Sequence, residues 1–147
     1  MKFISSRKPL GRQLFVLCFC MNEIIEFCKD KDDSGEYYIQ YYGWYNPKLS
    51  HYTGFSFASI EDFELFVNYL GLYVHNDVLF EDDYTFNDKY LEDKKRKQFL
   101  DIHSNEYSFD IALYKNKKKT KNCIWEVIID KQYAKQLFDE LKTWLCI

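Results

Sequence analysis

Three histidines are the side chains of this sequence best suited to acid–base chemistry: His51, His75 and His103. They lie far apart along the chain, and none belongs to a His-x-x-x-His, Gly-x-Ser-x-Gly or phosphate-binding motif. A fold that brings His51 or His103 against a carboxylate would create an acid–base pair, and Asp101 and Glu106 are carboxylates of this kind. Such scattered residues occur in most domains. A small acid/base enzyme is therefore an alternative and not the main prediction.

Metal and cofactor sites are not indicated. The carboxylates between residues 77 and 88 lack the ordered spacing and the glycine of an EF-hand loop. The cysteines are odd in number, widely spaced and without a Cys-x-x-Cys motif, so reduced thiols are predicted instead of a disulfide framework or a zinc cluster. They are Cys18, Cys20, Cys28, Cys123 and Cys146. Only 5 glycines are present, so few positions allow close backbone approach to a cofactor phosphate. We predict no metal and no cofactor.

The elements that would position these residues follow from apolar periodicity. In the first half, strand character is found in residues 14–20, 24–28, 36–45 and 52–58. Ser59 is a typical helix N-cap. Apolar residues then recur at helical spacing from Phe63 to Leu70, and Gly71 is expected to end the helix.

The second half adds two further strands and a terminal helix. Residues 107–114 and 123–129 have strand character and enclose a Lys-rich hairpin tip, and Asp130 can cap the last helix. A third helix is expected at about 87–102. Hairpins in series favour an α+β fold, with an antiparallel sheet and two or three helices packed on one face.

Residues 1–20 are expected to form an N-terminal arm or first strand, and residues 21–147 a single α+β domain. The apolar run from 14 to 21 follows basic residues and loosely imitates a secretory signal. It is shorter than the ~20 apolar residues that a membrane-spanning helix needs. We expect a cytoplasmic protein without membrane association.

Charge is unevenly distributed along the chain. The formal net charge is −3, but residues 22–93 carry 16 Asp or Glu against 4 Lys, a net of −12. Residues 94–147 carry 12 basic against 7 acidic groups, a net of +5. An acidic body of this strength attracts basic partners and raises their association rates.

Aromatic residues make up 20% of the chain, and seven Tyr or Trp residues lie between positions 37 and 52. If the core takes Ile39 and its Tyr neighbours, alternation along the strand turns Tyr38, Tyr42 and Trp44 outward. Exposed aromatic and acidic side chains together suit a protein interface. The predicted partner-binding residues are Glu36, Tyr38, Tyr42, Trp44, Glu61, Asp62, Glu81, Asp82 and Asp83.

A small, acidic, Tyr- and Phe-rich α+β chain with few glycines resembles the immunity proteins of bacterial toxin systems, including contact-dependent inhibition and polymorphic toxins. The resemblance covers composition and element order over residues 22–147. It implies a non-enzymatic protein that neutralises a basic toxin partner. It carries over no individual residue, so the binding residues above follow from the charge argument alone.

Lys-rich segments leave a second alternative open. Residues 94–97 and 115–121 could contact phosphates of a nucleic acid. No RNA-recognition strand motif, helix-turn-helix or zinc-finger spacing accompanies them, and a Lys-rich hairpin tip is also a device that protects sheet edges. Nucleic acid is therefore the less favoured partner.

Overall fold

A computed structural model describes residues 2–7, 12–20, 23–30, 36–43, 53–80, 90–115 and 123–145. Side chains are described over 24–29, 36–41, 54–80, 90–115 and 123–145. The chain divides into two compact units, Met1–Ile60 and Glu61–Ile147. Each unit has its own antiparallel sheet.

The first unit is a five-stranded meander in which each strand pairs with the next along the chain. Its described strands are β1 (Lys2–Arg7), β2 (Arg12–Cys20), β3 (Glu23–Asp30), β4 (Tyr37–Gly43) and β5 (Thr53–Ser56). The expected strands at 14–20, 24–28, 36–45 and 52–58 correspond to β2 through β5. The first residues of the chain add β1, which pairs with β2.

Alternation along β4 explains how this sheet is buried. Tyr37, Ile39 and Tyr41 are all buried, as expected for the inward face of a strand with a period of two residues. Ile39 lies between Phe27 of β3 and Phe55 of β5 in the strand register. All three side chains are fully buried, so large apolar residues on neighbouring strands form this core.

The second unit combines a four-stranded meander with two helices. Its described elements are α1 (Ile60–Asn76), β6 (Tyr90–Asp93), β7 (Gln98–Ser104), β8 (Ser108–Tyr114), β9 (Cys123–Asp130) and α2 (Lys131–Leu145). Phe66 and Tyr73 of α1 contact Phe109 of β8, with ring centroids 6.1 and 5.6 Å apart. Phe63 of α1 stacks on Trp144 of α2 at 6.3 Å. The α+β class, with hairpin-built antiparallel sheets and two helices, is thus confirmed.

The prediction that Gly71 ends the first helix is wrong. α1 continues to Asn76, because Tyr73 extends the buried face by another turn. Gly71 is instead a packing position: a Cβ placed there would lie 2.6 Å from Cε1 of Phe138. The helix ends at Asp77, whose φ of 53° is left-handed, and the amide of Val78 donates to the carbonyl of Leu72 at 3.2 Å.

The prediction of a third helix at 87–102 is also wrong for its described part. Residues 90–104 form a β-hairpin in which Leu91 of β6 pairs with Leu100 of β7. Every residue from 92 to 98 is charged or polar, so a helix there would lack an apolar face for nearly two turns. Residues 94–97 form the turn, and Lys97 adopts the left-handed φ of 55° that a tight turn requires.

Candidate functional site

Predicted partner-binding residues of the first unit lie at the start of β4 and along it. Glu36 is exposed immediately before the strand. Tyr38 is half-buried and packs with Ile24 against the buried Cys28. Tyr42 pairs with Ile24 in the register, and its side chain lies outside the described set. Tyr38 therefore offers only part of its ring to a partner.

Four of the predicted residues fall outside the described part of the chain. They are Trp44, Glu81, Asp82 and Asp83. Their role in binding stays a prediction. The described members of the predicted surface divide between the two units, with Glu36 in the first and the α1 carboxylates in the second.

Helix α1 places Glu61 and Asp62 in its first turn. Glu61 is exposed and Asp62 is half-buried. Carboxylates at this position interact favourably with the positive end of the helix dipole, which is sufficient to explain their presence. A function in binding therefore depends on what surrounds them.

Exposed apolar side chains accompany these carboxylates. Ile60, the first helical residue, is 46% exposed, and Leu65 is 37% exposed. Glu61, Glu64 and Leu65 are spaced i, i+3 and i+4, so they share one face of the helix. That face lies opposite the buried stripe of Phe63, Phe66, Val67, Leu70 and Tyr73. We call the set of Glu61, Glu64 and Leu65 the acidic helix face, and the exposed Ile60 lies one turn before Glu64 at its edge.

A second candidate lies in the sheet of the second unit, where a tight turn joins β7 to β8. Oδ1 of Asn105 accepts hydrogen bonds from the amides of Tyr107 and Ser108 at 2.7 and 3.0 Å. This side-chain-supported turn fixes the register of the two strands. In that register His103 of β7 is the direct partner of Asp110 of β8.

Three carboxylates surround the imidazole of His103. Its Nε2 lies 3.1 Å from Oδ2 of Asp110 and 4.0 Å from Oε2 of Glu126. Its Nδ1 lies 3.7 Å from Oδ2 of Asp101. The side chains of His103, Asp110 and Asp101 are 15%, 8% and 5% exposed, whereas Glu126 is exposed. We call these four residues the histidine–carboxylate cluster.

The cluster has the composition of an acid–base site, because a carboxylate can orient a histidine for proton transfer. Its geometry fits a buried structural polar network equally well: both ring nitrogens face carboxylates, and little of the ring is exposed. Within the described ranges, no group of three His, Cys, Asp or Glu side chains is arranged to hold a metal ion.

Sequence reasoning found part of this cluster. His103 and Asp101 were candidates and do come together, while Asp110 and Glu126 were missed. His51 lies outside the described residues, and Glu106 is exposed in the β7–β8 turn. A strand interpretation of residues 98–104 would have placed Asp101 and His103 on one face, because residues spaced i and i+2 in a strand share one face. Asp110 and Glu126 join them only through the pairing of β7, β8 and β9.

The remaining histidine serves a different contact. His75 is exposed near the end of α1, and its ring meets the edge of Phe138 with centroids 5.1 Å apart. This contact helps to hold α2 against α1. His75 is therefore explained by packing.

Two other side chains have pKa values that their surroundings shift. Burial, followed by the charges of Asp110, Asp77 and Asp130, raises the pKa of Tyr73 to about 12. Cys123 is exposed, but desolvation of its thiol by neighbouring groups is the main cause that raises its pKa, followed by the charge of Glu126.

The chain matches no protein-family model and no curated protein. Among the described residues, neither helix is long and apolar enough to cross a membrane.

Proposed function

We propose that this protein is a non-enzymatic binding protein of the immunity type, which neutralises a basic toxin domain through acidic and aromatic side chains. The observation that carries the proposal is the acidic helix face, where the exposed carboxylates of Glu61 and Glu64 lie beside the exposed side chain of Leu65, with the exposed Ile60 at the edge of this face. Such a mixture is typical of protein interfaces, in which charge guides the encounter and apolar groups are buried on contact.

The carboxylates would act mainly on the association rate. Residues 22–93 carry a net charge of −12, so Glu61 and Glu64 belong to a strongly acidic part of the chain. Complementary charge can raise association rates well above those of neutral pairs at low salt. A basic partner fits this field, whereas an acidic one would be repelled.

The apolar side chains would act mainly on the dissociation rate. Leu65 belongs to the exposed face of α1, outside the stripe that the unit buries. Covering such a side chain contributes roughly 25 cal/mol for each Å² of apolar surface removed from water. Leu65 is therefore the apolar anchor that we assign to this face, with Ile60 at its edge.

The histidine–carboxylate cluster supports an acid/base enzyme as a second candidate. The contact between His103 and Asp110 favours it, since it supplies a base and the group that orients it. The low exposure of His103 argues against ready access for a substrate. Binding through the acidic helix face is for this reason the better-supported function.

The first test identifies the partner and then measures how it binds. Tagged protein is used to capture proteins from its own cell extract at low salt, and elution in a salt gradient is followed by mass spectrometry. The captured protein is purified, and its association rate is measured by stopped-flow fluorescence. A basic protein whose toxicity is suppressed by co-expression of this chain supports the proposal.

The variants for this test are matched in charge. E61Q/E64Q should slow association several-fold at low salt, and Leu65→Ser should speed dissociation. The control E106Q/D139N removes the same charge at exposed positions away from this face and should change neither rate. Equal effects of the two double variants would show that net charge alone matters and that the helix face is not the binding surface.

A further inference from the structure

Exposed lysines from two connections lie at the same end of the second unit's sheet. Residues 94–97 form the tip of the β6–β7 hairpin, and Lys115 directly follows β8, the strand that pairs with β9. In an antiparallel meander, alternate connections lie at the same end of the sheet.

The strand register shows how close the segments come. Phe99 of β7 pairs with Tyr114 of β8, so Lys115 lies beside the start of β7, just after Lys97. Adjacent strands are ~4.8 Å apart, which separates the centres of the two hairpins by about 10 Å. Four described lysines share this end and are exposed: Lys94, Lys95, Lys97 and Lys115.

Local acidic residues offset only part of this positive charge. Asp93 is buried at the base of the hairpin, where Oδ1 accepts a hydrogen bond from the amide of Arg96 at 3.2 Å. Oδ2 of the same carboxylate lies 3.9 Å from Nε of Arg96. Asp93 therefore interacts with the turn and with Arg96, on the buried side of the hairpin from which the lysines point away into solvent.

We propose that this end of the sheet, formed by Lys94, Lys95, Lys97 and Lys115, binds the phosphate backbone of nucleic acid without reading its sequence. This basic end is a different surface from the acidic helix face, so either proposal can fail without the other. Duplex DNA carries one charge for each ~1.7 Å of its axis, so two hairpins about 10 Å apart can contact several phosphates at once.

The chemistry of the tips favours a nucleic acid over a lipid surface. Residues 94–97 and 115–121 contain no apolar side chain that could insert between lipids. The neighbouring aromatic rings of Phe99 and Tyr114 are buried, so base stacking is not offered either. Contacts limited to phosphate make the binding independent of sequence.

Acidic residues elsewhere in the chain do not exclude such binding. Charges more than a Debye length apart, about 10 Å at 0.1 M salt, are largely screened from each other. The overall net charge of −3 therefore weakens the interaction at very low salt more than it does near 0.1 M.

Fluorescence anisotropy of a labelled 20-base-pair mixed-sequence DNA duplex tests the proposal, with the full chain titrated at 25 to 200 mM NaCl. We expect affinity to fall steeply with salt, with a slope of about 0.9 in log–log units for each phosphate contacted. A second duplex of unrelated sequence should bind with an affinity within about twofold of the first.

Paired variants locate the surface. K94Q/K95Q should lower the affinity at 50 mM NaCl at least about fivefold and reduce the salt slope by about 1 to 2. K135Q/K142Q removes the same charge from exposed positions of α2 and should leave both values unchanged. K115Q, on the other hairpin, should reduce the affinity by a smaller factor in the same direction.

Specific outcomes would overturn the proposal. The first two are the absence of duplex binding at 25 mM NaCl and an affinity that does not change with salt concentration. The others are an equal loss of affinity in K135Q/K142Q, or binding of heparin or anionic vesicles without binding of DNA. Far-UV circular dichroism of each variant separates a lost contact from a lost fold. These positions are exposed in turns or on a helix surface, so unchanged spectra are expected.

Discussion

Nε2 of His103 lies 3.1 Å from Oδ2 of Asp110, and the two residues are direct cross-strand partners in β7 and β8. Both side chains are largely buried, and Asp110 follows Phe109, the residue of β8 that contacts α1, so the two point to opposite faces of the strand. Burying polar groups costs free energy unless they are paired, so the loss of either side chain would remove a contact that the other one uses. This contact is consequently expected to matter for stability whether or not it has a catalytic function.

Replacement of His103 should destabilise the second unit. His103→Ala leaves Asp101 and Asp110 buried without the imidazole, which we expect to cost about 2–4 kcal/mol in the free energy of unfolding. Urea denaturation at pH 7 measures this cost. His75→Ala, at an exposed histidine, should cost less than about 1 kcal/mol. The double variant H103L/D110L should cost less than the sum of the costs of H103L and D110L measured singly, and simple additivity would contradict the coupling.

Tyr73 provides a test of stability at alkaline pH. Its folded-state pKa is raised to about 12, so its contribution to stability is present below pH 10 and is lost as pH rises towards 12. Two pKa units correspond to at most about 3 kcal/mol. Tyr73→Phe should not show this loss of stability between pH 10 and 12. Tyr107→Phe, which changes an exposed ring, should lose stability as the unmodified protein does. Urea denaturation at pH 7, 9, 10 and 11 compares the three proteins.

Tyr73→Phe has a second expected effect, at neutral pH. Among the described residues, the buried hydroxyl of Tyr73 has no hydrogen-bond partner. Its removal should therefore leave stability unchanged or raise it by up to about 1 kcal/mol. A loss of more than about 1 kcal/mol at pH 7 would show that the hydroxyl has a partner.

Gly71 should behave unlike an ordinary helical glycine. Glycine-to-alanine changes within helices usually stabilise by about 1 kcal/mol. Here the added Cβ would lie 2.6 Å from Phe138, so the ring must move out of its contact with His75. We expect Gly71→Ala to destabilise by about 1 kcal/mol, measured by urea denaturation. In a Phe138→Leu background the same change should stabilise, which separates the steric conflict from any effect on the backbone.

Cys123 should be a slowly reacting thiol. Alkylation proceeds through the thiolate, and the raised pKa of Cys123 lowers the thiolate fraction near neutral pH. Glu126→Gln removes one cause of the raised pKa of Cys123 and should speed iodoacetamide labelling. Tyr114→Phe removes a hydrogen bond that lowers this pKa and should slow the labelling. Peptide mass spectrometry at pH 7.5 to 9 follows this cysteine alone. Glu106→Gln serves as the control and should not alter the rate.

The local sequence determined most of the elements. Residues 36–45 alternate in a way that predicts a strand, and Ile39 with its Tyr neighbours forms the buried face of β4. The apolar spacing of Phe63, Phe66 and Leu70 predicts α1 because the helical period and the burial it implies are local properties. The α+β class followed from the order of these elements.

Tertiary structure decided what local patterns could not. Gly71 can end a helix or admit a ring from another helix, and only the position of Phe138 selects the second. The contact of His103 with Asp110 depends on strand register, which the turn at Asn105 fixes. The approach of Lys94 to Lys115 requires two hairpins of one meander. Pairing between residues distant in sequence leaves no local periodicity, so the fold alone establishes these three relationships.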